Sequence, residues 1–303
     1  MRTFRQAVQS GAFTLTGEIV LSRLSAAADV ARQASLLSAF VDAVQVADNP
    51  GGRVQMASQA AAGIVLRSGV DVIPHLASRD RNRIGLEGDL LGMGALGVTS
   101  VLLMRGDELP ASVRPPAPQV YELSGRDLIV LARALAEDEA VSAIPDLFIG
   151  AVATVFNPKK TWTPQALLDK ASAGADFIQT QLCFDIAALR RYMGRLIDSQ
   201  MTWRTAVIVS LAVLPSAMSA KWLRHHLKGS LIPRDTVRRL EQARDAELEG
   251  VNICAELLQE LQDVPGITGA HLIAPDDPQT VPAAIEASGL RRGPARRAEG
   301  NRK

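Results

Sequence analysis

The chain is poor in the residues from which several classes of protein are built. Only two of its 303 residues are cysteine, Cys183 and Cys254. They are far apart and outside any C-x-x-C pattern, which leaves neither a disulfide framework nor a zinc-binding spacing. Four histidines are present; two of them, His225 and His226, are adjacent and would point to different faces of a helix, a poor metal pair. No metal site is expected. Aromatic residues make up 4% of the chain, too few for a base-stacking surface. Lysine and arginine (33) nearly cancel aspartate and glutamate (32), so no bulk field draws the chain to nucleic acid or to an anionic membrane. No apolar run approaches the roughly 18 residues of a membrane span. The opening segment "MRTFRQAVQSGAFTLTGE" lacks the apolar core and cleavage site of a secretory signal, and a cytoplasmic, reducing setting is expected.

What is present is a soluble, core-forming composition, 47% hydrophobic and 21% charged, which argues against disorder. Short apolar runs recur at 14–20, 43–47, 71–76, 100–104, 147–153, 176–182, 206–213 and 269–274. Alanine- and leucine-rich segments of helical periodicity lie between them, at 24–39, 55–68, 81–96, 125–137, 163–174, 185–198, 216–226 with 233–262, and 278–288. Eight strand–helix units in this length predict an α/β fold, a single-domain (β/α)8 TIM barrel over 1–290. Strands apolar on both faces also suit a parallel sheet covered by helices. A doubly wound open sheet is the alternative, and it too would place ligands at the carboxyl ends of the strands. Two segments fall outside the repeat: "DELPASVRPPAPQVY" (107–121), whose four prolines predict a long loop, and the basic tail "RRGPARRAEGNRK" (291–303), predicted to be disordered.

A G-x-G-x-x-G pattern occurs at Gly92–Gly97. A helix candidate precedes it and a strand follows, the reverse of a dinucleotide-binding loop, so it reads as a helix C-cap and turn. "VLLMRGD" (101–107) is a buried strand running into Arg105-Gly106-Asp107 rather than an exposed adhesion tripeptide. Polar residues recur at strand ends: Glu18, Asp48-Asn49, His75, Asp107 and Thr180-Gln181. Equivalent positions on successive strands would converge on one mouth of a barrel, where active sites of this fold are built. Glu18 is either an ion-paired core carboxylate or a general acid. In an apolar strand its pKa is expected to be raised. Asp107 is a loop cap or a ligand, and His75 a satisfied buried histidine or a site residue. Cys183 reads as packing, with no partner histidine for a thiol nucleophile.

The segments "FTLTGEIV", "VDAVQVADNPGG", "VIPHLASRDRNRIGLEGDLLGMGALGVTSVLLMRGD" and "DKASAGADFIQTQLCFD" together resemble the 5,10-methylenetetrahydrofolate reductase family, of the short bacterial type, in order from about residue 12 to 288. The resemblance implies a barrel that binds FAD at its C-terminal mouth. A reduced nicotinamide, NADH rather than NADPH by likeness to the short members, gives hydride to the flavin, which passes it to the folate methylene. It also implies Glu18 as general acid and Asp107 as the aspartate between flavin and pterin. Gln181, Asn49 and Phe184 would accompany Asp107 on the substrate. His75, Met104, Arg105, Gly106, Tyr121, Ala153, Asn157 and Lys170 would line the flavin with Asp107. A homo-oligomer is expected from the broad apolar helix faces of such barrels.

The likeness has gaps. "ATVFNPKK" (153–160) stands where many members have a proline- and histidine-containing flavin-packing stretch, and "ADNPGG" replaces a threonine-bearing one. Direct, flavin-independent hydride transfer from NADH is therefore an alternative. So are a non-catalytic folate-binding accessory subunit and, with no motif in its favour, a corrinoid-linked methyltransferase.

Overall fold

The computed structural model describes residues 2–109, 117–138 and 146–291. Much of the proline-rich segment (110–116) and nearly all of the basic tail (292–303) lie outside the described residues. Eight parallel strands form a closed barrel in sequential order: β1 Thr14–Ile19, β2 Ala43–Val46, β3 Val72–Ala77, β4 Ser100–Met104, β5 Phe148–Ala153, β6 Phe177–Thr180, β7 Ala206–Ala212 and β8 Gly269–Ile273. The barrel closes through β1 on β8, with Thr14 opposite Gly269 and Thr16 opposite His271. Each strand falls within a predicted apolar run or overlaps it by all but one residue. Alternate burial periods cannot be seen along these strands because helices cover the outer face while side chains fill the inner one.

In chain order the helices are α1 Phe4–Gln9, α2 Ala27–Leu37, α3 Ser58–Arg67, α4 Arg83–Ala95, α5 Gly125–Glu137, α6 Gln165–Ser172, α7 Ile186–Asp198, α8 Ala217–His226, α9 Arg234–Gln242, α10 Ala246–Gln262 and α11 Thr280–Ser288. Side chains cap several of them where the sequence supplies the residue: Asn82 accepts from Gly85, Ser124 from Asp127 and Asp185 from Ala188. The G-x-G-x-x-G segment ends α4 in a Schellman turn: Val98 N–H donates to the Met93 carbonyl and Gly97, at φ +87°, donates to Gly94. No helix among the described residues is long and apolar enough to cross a membrane.

Two elements differ from expectation. The segment 233–262 is two helices, because Ala243 is extended and the Asp245 side chain, accepting from Leu248 N–H, starts a new one. Residues 227–233, between α8 and α9, pair with the segment that follows β6: Leu231 donates to the Leu182 carbonyl and accepts from Phe184 N–H, beside Cys183. Helix α9 packs between α8 and α10, and α10 packs on β8, the strand it leads to. The other is α1, which was not foreseen.

Helix α1 closes the opposite end of the barrel. A capping box between Thr3 and Gln6 starts it. Phe4 inserts, fully buried, among the first inward residues of the strands, including Ala43, Ile73, Phe148 and Phe177. Its ring meets Phe177 edge-on at 5.1 Å and Phe148 at 5.8 Å, a favoured aromatic geometry. Its backbone N–H donates to the Asp71 carboxylate at 2.5 Å. Burial pushes that carboxyl above its ordinary range. Gly150 is glycine for space: a Cβ there would sit 2.2 Å from the Phe177 ring. Replacing Phe4 by alanine should leave a cavity at the barrel floor and cost about 3–5 kcal/mol; a urea titration showing a loss below about 1 kcal/mol would mean that α1 is not a plug.

Candidate active site

Between the aromatic floor and the C-terminal mouth the barrel carries a polar layer where such barrels usually have branched apolar residues. Gln45 of β2 and Gln179 of β6 reach across the bore and exchange two hydrogen bonds, at 2.7 and 3.0 Å. The Gln45 amide N–H also donates to Thr16 Oγ1 at 3.0 Å, and its oxygen accepts from His75 Nε2 at 2.8 Å. Thr16 Oγ1 lies 3.0 Å from His271 Nδ1. Whether the Thr16 hydroxyl donates to Nδ1 or a protonated ring donates to Thr16, Nε2 carries a proton. That nitrogen faces the Glu18 carboxylate at 3.5 Å. All five residues behind Glu18 are buried, so leaving any of them unpaired would be costly.

Glu18 stands at the mouth end of β1, its side chain 14% exposed. Burial pushes its carboxyl up. The hydrogen bond and charge of His271, with a smaller contribution from His75, outweigh burial, and the carboxyl lies below its ordinary value of 4.5. The expectation of a raised pKa is corrected here. It took the strand to be apolar on both faces, whereas its inner face carries Thr16 and meets His271. His75 is not at the mouth but one layer down, 6% exposed. Burial, partly opposed by the Glu18 charge, drives its pKa down to about 4, so its ring is neutral at pH 7.

The loops after β2, β3 and β4 form one side of the mouth. Asp48 is buried, accepting from Ala77 N–H at 3.0 Å and pairing with Arg81 at 2.6 Å. Asn49 adopts a left-handed backbone at φ +46°, and its side-chain oxygen accepts from Gln55 N–H. Met104 packs beside the inner apolar cluster. Arg105 lies over the Tyr121 ring at 3.8 Å, and Asp107 is exposed. Gly106 has φ +84°, and a Cβ would sit 3.1 Å from the Cβ atoms of both Ala77 and Arg79. Its glycine is therefore required by the backbone itself.

On the far side, Gln181 donates its backbone N–H to the Ala153 carbonyl, and its side-chain oxygen accepts from Leu182 N–H. Its amide NH2 has no protein partner among the described residues. Phe184 is 5% exposed and packs in the core. Lys170 donates to the Val152 carbonyl at 2.7 Å, and burial lowers its pKa. Asn157 faces α7, accepting from Arg191 Nε at 2.6 Å. Its loop is packed by Phe156, Trp162 and Tyr192. Burial pushes Cys183 up to about 12, in keeping with a packing role. No metal-ligating cluster occurs among the described residues.

Strand-end reasoning brought Glu18, Asp48, Asn49, Asp107 and Gln181 to one mouth. It passed over Thr16, Gln45, Gln179 and His271. Their signal was a polar residue interrupting an apolar run of strand length, as in "AVQVA", "DFIQTQL" and "GAHLIA". Arg79, in the "SRD" turn after β3, was also missed.

The His75 shift has a measurable consequence. A histidine with a folded pKa of about 4 against an ordinary 6.5 binds its proton more tightly when unfolded. Its contribution to stability is full above pH 6.5 and declines toward pH 4, by about 3 kcal/mol over that interval. His75→Gln should therefore flatten the fall in unfolding free energy between pH 7 and pH 4; parallel curves for the two proteins would refute the assignment.

Comparison with known proteins adds independent findings. The family model "Methylenetetrahydrofolate reductase" matches residues 3–289. The 5,10-methylenetetrahydrofolate reductase of Salmonella typhimurium is 29% identical over 141 residues, a match covering 45% of this chain and 43% of that protein. Among solved structures, a protein from Clostridium thermocellum that binds two copies of 5-methyl-5,6,7,8-tetrahydrofolic acid superposes with a TM-score of 0.63 at 14% identity, covering 94% of this chain and 97% of that one. Tryptophan synthase of Mycobacterium tuberculosis gives 0.52 at 14% identity, over 95% and 97%. At such identities these two structures show the fold alone. With the family model spanning the barrel from its first helix to its last, the chain belongs to the methylenetetrahydrofolate reductase family.

Proposed function

We propose that the protein reduces 5,10-methylenetetrahydrofolate to 5-methyltetrahydrofolate, with NADH as the hydride donor. The observation that carries this reading is Glu18: a carboxylate on the inner wall of the mouth, backed by His271 and the polar layer, in a chain of this family. The chemistry needs one proton and one hydride. Opening the five-membered ring breaks the bond from the methylene carbon to N10, which takes a proton. The methylene carbon, left as an iminium on N5, takes the hydride, and oxidised nicotinamide departs.

Glu18 is ionised at neutral pH before ligand arrives, its carboxyl held below the ordinary value chiefly by His271. A bound folate that excludes water raises its proton affinity by desolvation, so it loads a proton and delivers it to N10. Asp107 and Gln181, whose carboxylate and amide NH2 are free of protein partners among the described residues, are the groups we assign to reading pterin and nicotinamide.

Three of the residues for which a flavin role was expected are engaged elsewhere. His75 is below the mouth on Gln45, Lys170 is engaged with the Val152 carbonyl, and Asn157 is turned to Arg191. These engagements favour the direct route, with hydride passing from nicotinamide C4 to the methylene carbon, and no step here runs through a flavin. The flavin-mediated route is the competing reading.

The two routes part in an isotope experiment. Nicotinamide deuterated at C4 should place its label in the methyl group under direct transfer. A flavin N5–H exchanges with water, so washed-out label and a yellow protein would favour the mediated route. Glu18→Gln should lower turnover by about 10²–10⁴-fold while NADH still binds; full activity in that variant would sink the general-acid role. Folate binding without any turnover in the unaltered protein would instead indicate an accessory subunit.

A further inference from the structure

We propose that Arg79 is a positioning residue for the folate site: its buried guanidinium sets the loops bearing Asn49 and Asp107 against each other across β3. The inference rests on the folate reading above. Arg79 is 1% exposed and heads the group of large, fully buried side chains. It lies in the turn Ser78–Asp80 that follows β3, and β3 is paired with β2 on one side and β4 on the other. From that central place one guanidinium serves both neighbours. Nη2 donates to the Asn49 carbonyl at 3.1 Å and Nη1 to the Asp107 carbonyl at 3.2 Å. Nε and Nη2 also bind the two oxygens of Asp80, at 2.7 and 2.6 Å.

The rest of the residue is used as well. Its carbonyl accepts from Val120 N–H at 2.8 Å, which ties down the chain returning from the proline-rich segment. Its Cβ is one of the two surfaces against which Gly106 is packed. Arg79 thus touches the residue before Asp107, the backbone of Asp107 and the left-handed Asn49.

Physical cost argues against a purely structural role. Burying a charged group is unfavourable unless it is paired and fully hydrogen-bonded, and an apolar residue of similar volume often stabilises a fold as well or better. The return on this burial is geometry. A planar fork of fixed N–H directions can hold two carbonyls and a carboxylate at once, and lysine, a single flexible point charge, cannot. Positioning of that kind matters most where reacting groups must be placed within a fraction of an ångström.

A double-mutant cycle tests it, using Arg79→Lys, Asp107→Asn and the pair, with thermal melting as the fold control. Arg79→Lys should remain folded and lose about 100-fold in kcat/KM for methylenetetrahydrofolate, and it should weaken 5-methyltetrahydrofolate binding while NADH affinity stays as it was. In the Asp107→Asn background the same change should cost no more than about twofold, since coupled residues do not add. Losses that multiply in full, or a folded Arg79→Lys protein with unchanged kinetics, would overturn the proposal. If Arg79→Lys does not fold, Asp80→Asn loosens the guanidinium while keeping it. It should give a smaller loss with the same failure to add to Asp107→Asn, and additive losses there would equally overturn the proposal. Should Asp107→Asn alone leave folate binding and turnover untouched, the folate reading of this mouth fails, which is distinguishable from additive losses that refute only the role of Arg79.

Discussion

Two glutamines that face each other across the bore, Gln45 and Gln179, hold together most of what is distinctive in this barrel. A buried amide must find partners for both ends or pay for losing water. Here each amide answers the other, and Gln45 has capacity left for Thr16 and His75. The consequence is directional: Thr16, held by Gln45, hydrogen-bonds Nδ1 of His271, which presents its other nitrogen to Glu18. A single cross-barrel pair therefore orders a chain of groups that ends at the mouth.

The layer divides the barrel into unlike halves. Below it lies a dry aromatic floor sealed by α1, with Phe4, Phe148 and Phe177 in mutual contact. Above it, polar groups stand on the loops that follow the strands. The hydrogen-bonded side chains of the layer, packed on the apolar floor, fix the wall from which Glu18 projects. The loops obey the same rule: Arg81 pairs with Asp48 and Asp89 and Arg79 with Asp80, and each guanidinium also donates to backbone carbonyls. Much of the mouth is built of side chains already held by others; among the described residues the Asp107 carboxylate and the Gln181 amide NH2 have no protein partner.

Much of the architecture was legible because it depends on local pattern. Apolar runs of strand length separated by helical periodicity produce the same order of elements however they are packed, and capping residues such as Asn82, Ser124 and Asp185 mark helix starts by local hydrogen bonding. What failed locally was α1, six residues long, too short for periodicity to declare itself. Its helix is held by Phe4 in the barrel floor, a contact with residues far along the chain. The break at 243–245 was missed for a similar reason, since Asp245 begins a new helix inside a stretch whose composition suits one continuous helix.

The amino-acid sequence by itself determined the eight-unit repeat, the family likeness and the set of polar residues at strand ends, because each is written in runs of neighbouring residues. Tertiary structure alone decided what those residues do. The protonation of Glu18 is set by a histidine on the eighth strand, the neutrality of His75 by its depth below the mouth, and the engagement of Lys170 and Asn157 by a carbonyl and an arginine on other elements. Electrostatics and hydrogen bonding act through space over a few ångströms, and no spacing along the chain reports which groups closure of the barrel will bring that near.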